Sequence, residues 1–182
     1  SFYDYREELI KFRTLMVSGL PCKILILSKD FKQKLFFNER FQLLLDRQTH
    51  PGQDTNQRIS DLLSHIHLDK NNLNPVTKLI VDSHCQNYQP LSIFQFLQTL
   101  TEHSLLLDQT QKITFSASLQ KEETPSDRRV FEASTFSLLW DSQDAVALIM
   151  TDVTIQHQNL ALKIADANKD KILALISHEL RT

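Results

Sequence analysis

Residues 145–153 read Ala145-Val146-Ala147-Leu148-Ile149-Met150-Thr151-Asp152-Val153, the most apolar strand-like run in the chain. The stretch from Ala145 to Met150 is strand-length and falls far short of the ~20 residues a membrane helix needs. Toward the N-terminus, a tight turn at Asp141 to Asp144 joins it to a long strand candidate, Arg129 to Trp140, carrying Val130, Phe131, Phe136, Leu138 and Trp140. A charged turn, Glu122 to Arg128, precedes that strand. Before it lies Lys112 to Leu119, where Ile113, Phe115, Ala117 and Leu119 alternate with polar residues. Three strands joined by short turns pair antiparallel. Near the other end, Cys22 to Leu27 (CKILIL) and Gln33 to Asn38 (QKLFFN) flank the turn Ser28-Lys29-Asp30 and form a hairpin.

The middle reads mostly helical. Phe41 to Leu45 is a short helical stretch, and Ile59, Leu62, Leu63 and Ile66 lie on one helical face. Leu91, Phe94, Leu97 and Leu100 recur every three residues. Leu79-Ile80-Val81 fits a strand or a buried helix equally, and both stay open. Two strands, a helical middle and three strands predict an α+β domain with one five-stranded antiparallel sheet and flanking helices.

Both ends carry helical seams. Phe2, Tyr5, Leu9, Phe12 and Met16 step by three and four, and Ser18-Gly19-Leu20-Pro21 stops that helix. This stripe suits either a partner helix or the helix's own domain. From Ile155 to Thr182 there is no glycine or proline. Ile155, Gln158, Leu162, Ala165, Lys169, Ile172 and Ile176 again step by three and four, with polar Lys169 as a weak point. Asp152 or Thr154 is the expected N-cap. The expected layout is an N-terminal amphipathic helix at 1–17, a domain at 18–154 and a helix at 155–182, both terminal helices coiled-coil-like.

Composition excludes several function classes. The chain has 182 residues, 41% of them hydrophobic and 23% charged, with a net charge of −2 and a pI near 6.4. A globally basic nucleic-acid binder is not expected. The sequence has 2 glycines, Gly19 and Gly52, so no phosphate-cradling glycine loop for ATP or NAD can form. Cys22 and Cys85 show no pairing pattern and read as reduced thiols.

The chemistry concentrates at the end. In Lys171 to Thr182, Ile172, Leu173, Leu175, Ile176 and Leu180 cluster on one helix face, and His178 lies about 200° from Ile176 at about 100° per residue. An exposed histidine beside a carboxylate, here Glu179, can act as a nucleophile through one ring nitrogen while the carboxylate holds the proton on the other.

The string Ile176-Ser177-His178-Glu179-Leu180-Arg181-Thr182 closely resembles the H-box of sensor histidine kinases, on the first helix of their dimerisation domain. The family string continues with a proline, just beyond the last residue here. The resemblance implies that His178 is the phosphoacceptor and Glu179 the assisting acid or base. Glu179-Leu180-Arg181-Thr182 also resembles the E-x-x-T pattern in which the threonine, here Thr182, orients water for dephosphorylating a response regulator. Upstream, Leu20-Pro21, Asn38 after the second strand, and Asp152-Val153-Thr154 at the last strand's end resemble the landmarks of a PAS domain. Residues 18–154 are long for that fold, and the excess falls at about 49–90.

The resemblance implies a sensory and dimerising portion of a two-component histidine kinase, with phosphate supplied by a separate ATP-binding domain using ATP and Mg, so the chain alone would be catalytically incomplete. Expected partners are a second copy, the kinase's own ATP-binding domain and a response regulator or receiver domain, with no nucleic acid. A cytoplasmic location follows, in a parent either soluble or membrane-anchored. The alternative is a non-enzymatic PAS ligand-binding or interaction module with a dimerising helix. A PAS-type pocket would draw on Ile24, Ile26, Phe36, Phe94, Phe115, Phe136 and Ile149. These residues carry no charge, so the expectation is a small apolar ligand or a pocket filled by side chains, with no cofactor in this portion.

No metal site is expected. His65-Ile66-His67 with Asp69 has the spacing of a strand-borne metal pair, but the helical neighbours splay the two rings about 200° apart. His84 and His103 are conceivable haem ligands in a PAS setting, each only a lone histidine in sequence. His84-Cys85 shows no constellation that would activate the thiol.

Overall fold

The computed structural model describes residues 21–85, 90–105, 112–119 and 128–181. The expected N-terminal helix at 1–17, most of the charged turn before Arg128, and Thr182 lie outside these residues. The chain divides into two units after Asp152.

The first unit is built on a six-stranded antiparallel sheet. Its strands are β1 (Lys23–Ser28), β2 (Lys34–Phe37), β3 (Ile66–Leu68), β4 (Ile113–Leu119), β5 (Arg129–Trp140) and β6 (Gln143–Asp152). Their spatial order is β2-β1-β6-β5-β4-β3. Four helices fall between β2 and β4: α1 (Glu39–Gln48), α2 (Thr55–His65), α3 (Pro75–His84) and α4 (Ile93–Glu102), with a short 3-10 turn at Lys70–Asn72. The expected five strands are therefore one too few. Ile66 continues the helical apolar spacing of α2 in sequence, but the helix stops at His65. Ile66 and Leu68 are then buried on a three-residue edge strand that pairs with Leu119 and Ala117. Three residues are too few for a period of two to show against a period of 3.6. Leu79, Ile80 and Val81 belong to α3, begun by Asn74 as N-cap and Pro75 in its first turn.

Alternation splits the sheet into two apolar faces. Leu25, Leu27, Phe115, Ala117, Phe131, Ala133, Val146, Leu148 and Met150 meet the helices through Phe41, Leu45, Leu62, Leu63, Phe96 and Leu97. The other face gathers Ile24, Ile26, Trp140, Ala145 and Ala147, with Phe36, Phe136, Leu138 and Ile149 packed against them. The β5–β6 hairpin turns on two residues, Asp141 and Ser142, both at positive φ (50° and 64°) between the pair Trp140 and Gln143. That is the twist-matched geometry of a type I′ turn.

One side chain knits the start of the unit. Asn38 is buried and caps α1, its Oδ1 accepting from the Phe41 backbone N–H at 3.1 Å and from that of Ile24 at 3.0 Å. Its Nδ2 donates to the Cys22 carbonyl at 2.7 Å.

The second unit is a single helix, α5 (Thr154–Arg181), of 28 residues. Alanine, leucine and lysine are strong helix formers, and no glycine or proline interrupts them. Thr154 is the first helical residue rather than the cap, and the Val153 carbonyl accepts from His157 N–H at 2.9 Å.

Candidate functional site

The strongest chemical candidate sits near the end of α5. His178 and Glu179 are both exposed, one residue apart on an unbroken helix. Ile172, Leu173, Leu175 and Ile176 are each 50 to 67% exposed, so this aliphatic face is open to solvent in the single chain. A neutral imidazole offers a ring nitrogen as nucleophile at neutral pH, and a carboxylate one residue away can take up the proton shed from the ring. Thr182, expected to orient water, lies outside the described residues.

The strand end that precedes this helix is held by charge. Asp152 accepts from Arg129 at 3.0 Å across β5 and β6. Lys23 stands over the Phe131 ring, 5.5 Å from its centre. Burial lowers the Lys23 pKa, an effect that the nearby Asp152 carboxylate opposes.

The seven candidate pocket residues divide between the two sheet faces. Phe115 is buried on the helix-covered face, edge-on to Phe96 with ring centres 5.0 Å apart. Phe94 is half-buried on that same side, 6.3 Å from Phe31. Ile24, Ile26, Phe36, Phe136 and Ile149 lie on the opposite face, where Phe36 and Trp140 have ring centres 5.2 Å apart. They share no cavity wall with Phe94 and Phe115. Apolar residues at consecutive positions of β1 hide which of them point inward. The pairings Ile24 with Ile149 and Ile26 with Ala147 and Phe36 settle it.

The histidine patterns resolve differently. His65 ends α2 with its Nδ1 against the Asp61 carbonyl at 2.6 Å, while His67 lies on β3 opposite Ser118. Asp69 caps the 3-10 turn, its Oδ1 accepting from Asn71 N–H at 3.1 Å. Among the described residues, no group of three or more histidines, cysteines or carboxylates could hold a metal ion. Cys22 and Cys85 are free, half-buried thiols. His84 and His103 come together at the C-terminal ends of α3 and α4, their ring centres 4.3 Å apart. Two axial haem ligands need ring centres about 6 Å apart across the iron, so this pair does not clamp a haem as placed.

An antiparallel sheet in the order β2-β1-β6-β5-β4, with its helices inserted between β2 and β4, decides the architecture. The fold is PAS-like. No protein-family model matches the chain, and no curated protein matches its sequence. Among solved structures, it is similar to the PAS domain of nitrogen regulation protein NR(II) from Vibrio parahaemolyticus, at 15% identity and a TM-score of 0.45, covering 77% of this chain and 96% of that one. It is also similar to the PAS domain of an HTR-like protein from Haloarcula marismortui, at 14% identity and a TM-score of 0.43, covering 82% and 96%. A third similar structure is a PAS domain from Desulfitobacterium hafniense, at 14% identity and a TM-score of 0.38, covering 74% and 95%. β3 lies at the edge of the sheet beside β4, and it falls within the long stretch at 49–90. No helix among the described residues is long and apolar enough to cross a membrane.

Proposed function

We propose that the chain is the sensory and dimerising portion of a two-component sensor histidine kinase, with His178 as the residue that accepts phosphate. The observation that carries this reading is the string Ile176 to Thr182, whose histidine stands exposed beside an exposed glutamate on an unbroken helix. A neutral ring nitrogen of His178 attacks the terminal phosphorus of ATP held by the kinase's own ATP-binding domain with Mg. The bond to ADP breaks as the N–P bond forms, and Glu179 takes up the proton released from the other ring nitrogen. The phosphoryl group then passes to a response regulator, and Thr182 orients water in the reverse, dephosphorylating role.

The exposed aliphatic side of α5 supports a parallel pair of such helices. Each isoleucine or leucine fully buried there contributes about 1.5 to 3 kcal/mol. The PAS-like unit supplies the sensory role. Its helix-covered face is filled by Phe41, Phe96, Phe115 and Phe131, each with less than 2% of its surface exposed or at that level. That packing supports signal reception through repacking or a partner's contact.

The test supplies ATP, Mg and a compatible histidine-kinase catalytic domain in trans. The expected product is acid-labile, base-stable phosphate on the parent chain and none on His178→Gln. Undiminished phosphate on that variant would place the acceptor elsewhere. No phosphate on the parent, with dimerisation intact, would favour the non-enzymatic interaction module.

A further inference from the structure

His84 and His103 are far apart in sequence, and neither has a motif around it. The fold brings them together where α3 and α4 end. Their ring centres are 4.3 Å apart and their planes are inclined by 51°. Two imidazoles bound at right angles to one ion, with metal–nitrogen bonds of about 2.0 to 2.1 Å, place their ring centres about 4.5 Å apart. A tetrahedral angle places them at about 5 Å. The observed separation is nearer the first value, the geometry of tetragonal or octahedral ions.

The hydrogen bonding of His84 points the same way. Its Nδ1 lies 3.1 Å from the Ile80 carbonyl oxygen. A carbonyl oxygen only accepts, so Nδ1 carries the proton and Nε2 keeps its lone pair. A backbone carbonyl orienting one ring nitrogen while the other remains free is the usual support of a metal-bound histidine. Both rings are exposed, so an ion can reach them and bring its own water.

We propose that His84 and His103 form a two-histidine site for a divalent transition ion, Ni2+ or Cu2+, that clips together the C-terminal ends of α3 and α4. No third histidine, cysteine or carboxylate completes the set among the described residues, so water fills the remaining positions. The ion is held by the folded arrangement and not by the unfolded chain, where the two rings are apart. It therefore stabilises the domain by mass action.

The test is calorimetric titration of the tag-free chain with Ni2+, alongside thermal melts with and without the ion. One ion per chain is expected, bound at least tenfold more weakly by His84→Gln and by His103→Gln alike, and unchanged in His67→Gln. At a hundredfold excess over the dissociation constant, the folded-to-unfolded ratio of the parent rises about a hundredfold, and Mg2+ has no such effect. Absence of Ni2+ binding, a loss smaller than tenfold in either variant, or a melting temperature that Ni2+ does not raise would each overturn the proposal. The melts use the parent chain, so they decide the matter even where a variant folds poorly.

Discussion

Asn38 shows how much one polar side chain can carry. It begins α1, its Oδ1 accepts from the Ile24 N–H, and its own backbone N–H donates to the Ile24 carbonyl at 3.1 Å. Replacing it with alanine removes a helix cap, worth about 0.5 to 2 kcal/mol. It also leaves the buried Ile24 N–H unpaired, at about 1 to 3 kcal/mol, while the part-buried Cys22 carbonyl can turn to water. Asn38→Ala is expected to lower stability by about 2 to 4 kcal/mol in a urea titration, with the slope unchanged. Asp30 offers a pH-dependent counterpart. The Ser28 hydroxyl, at 2.6 Å, and the Lys32 N–H, at 3.1 Å, hold its carboxyl below the usual range. A depressed folded pKa gives stability that is complete above the unfolded value, about 3.9, and is lost as pH falls through the folded value. The stability gap between parent and Asp30→Ala should be constant from neutral pH down to about pH 5 and close below about pH 4. A gap that widens on acidification would contradict this account.

At the scale of elements, the β5–β6 turn makes a direct claim. Ser142 holds a φ of 64°, which suits glycine better than serine. Relief of a left-handed backbone cost of about 1 to 2 kcal/mol, less the extra chain entropy glycine loses, about 0.5 to 1 kcal/mol, is expected to make Ser142→Gly more stable, seen as a higher melting temperature. The strands themselves were largely legible, because Ile113, Phe115, Ala117 and Leu119 alternate and the sequence sets turn-forming residues on both sides of Arg129 to Trp140. β3 was not legible, since Ile66 satisfies the helical spacing of Ile59 and Leu62 as well as the strand. Nor was the sidedness of β1, where Ile24 to Leu27 are all apolar and all buried. Only cross-strand partners assign such residues to a face. Asn74-Pro75 was the unused local signal for α3, a cap residue followed by a proline in the first turn. The candidate site at His178 was named from sequence because its motif is local, seven consecutive residues. The His84–His103 pair was not, because no sequence spacing encodes a contact between the ends of two helices.

At the scale of the whole molecule, α5 is the element through which two copies are proposed to meet. Replacing Ile172 and Ile176 with serine removes two aliphatic side chains from each copy's seam. Self-association is expected to weaken at least a hundredfold by sedimentation, given about 1.5 to 3 kcal/mol for each buried isoleucine. The first unit should keep its far-ultraviolet signature. Equal association of parent and variant would show that the helices meet elsewhere or not at all.

The unbroken run from Thr154 to Arg181 also makes the helix a counting device. With no kink to absorb an error, each residue added before His178 swings the imidazole by about 100° and carries it about 1.5 Å along the axis. Seven extra residues return it to within about 20° of its starting bearing, roughly 10 Å further out. Two extra residues turn it about 200°, toward the side the aliphatic residues held. On the proposed role of His178, insertions after Ile164 should therefore grade phosphorylation by their rotation, with seven tolerated better than two. A response that depends on length alone would mean that the compass bearing of His178 does not matter.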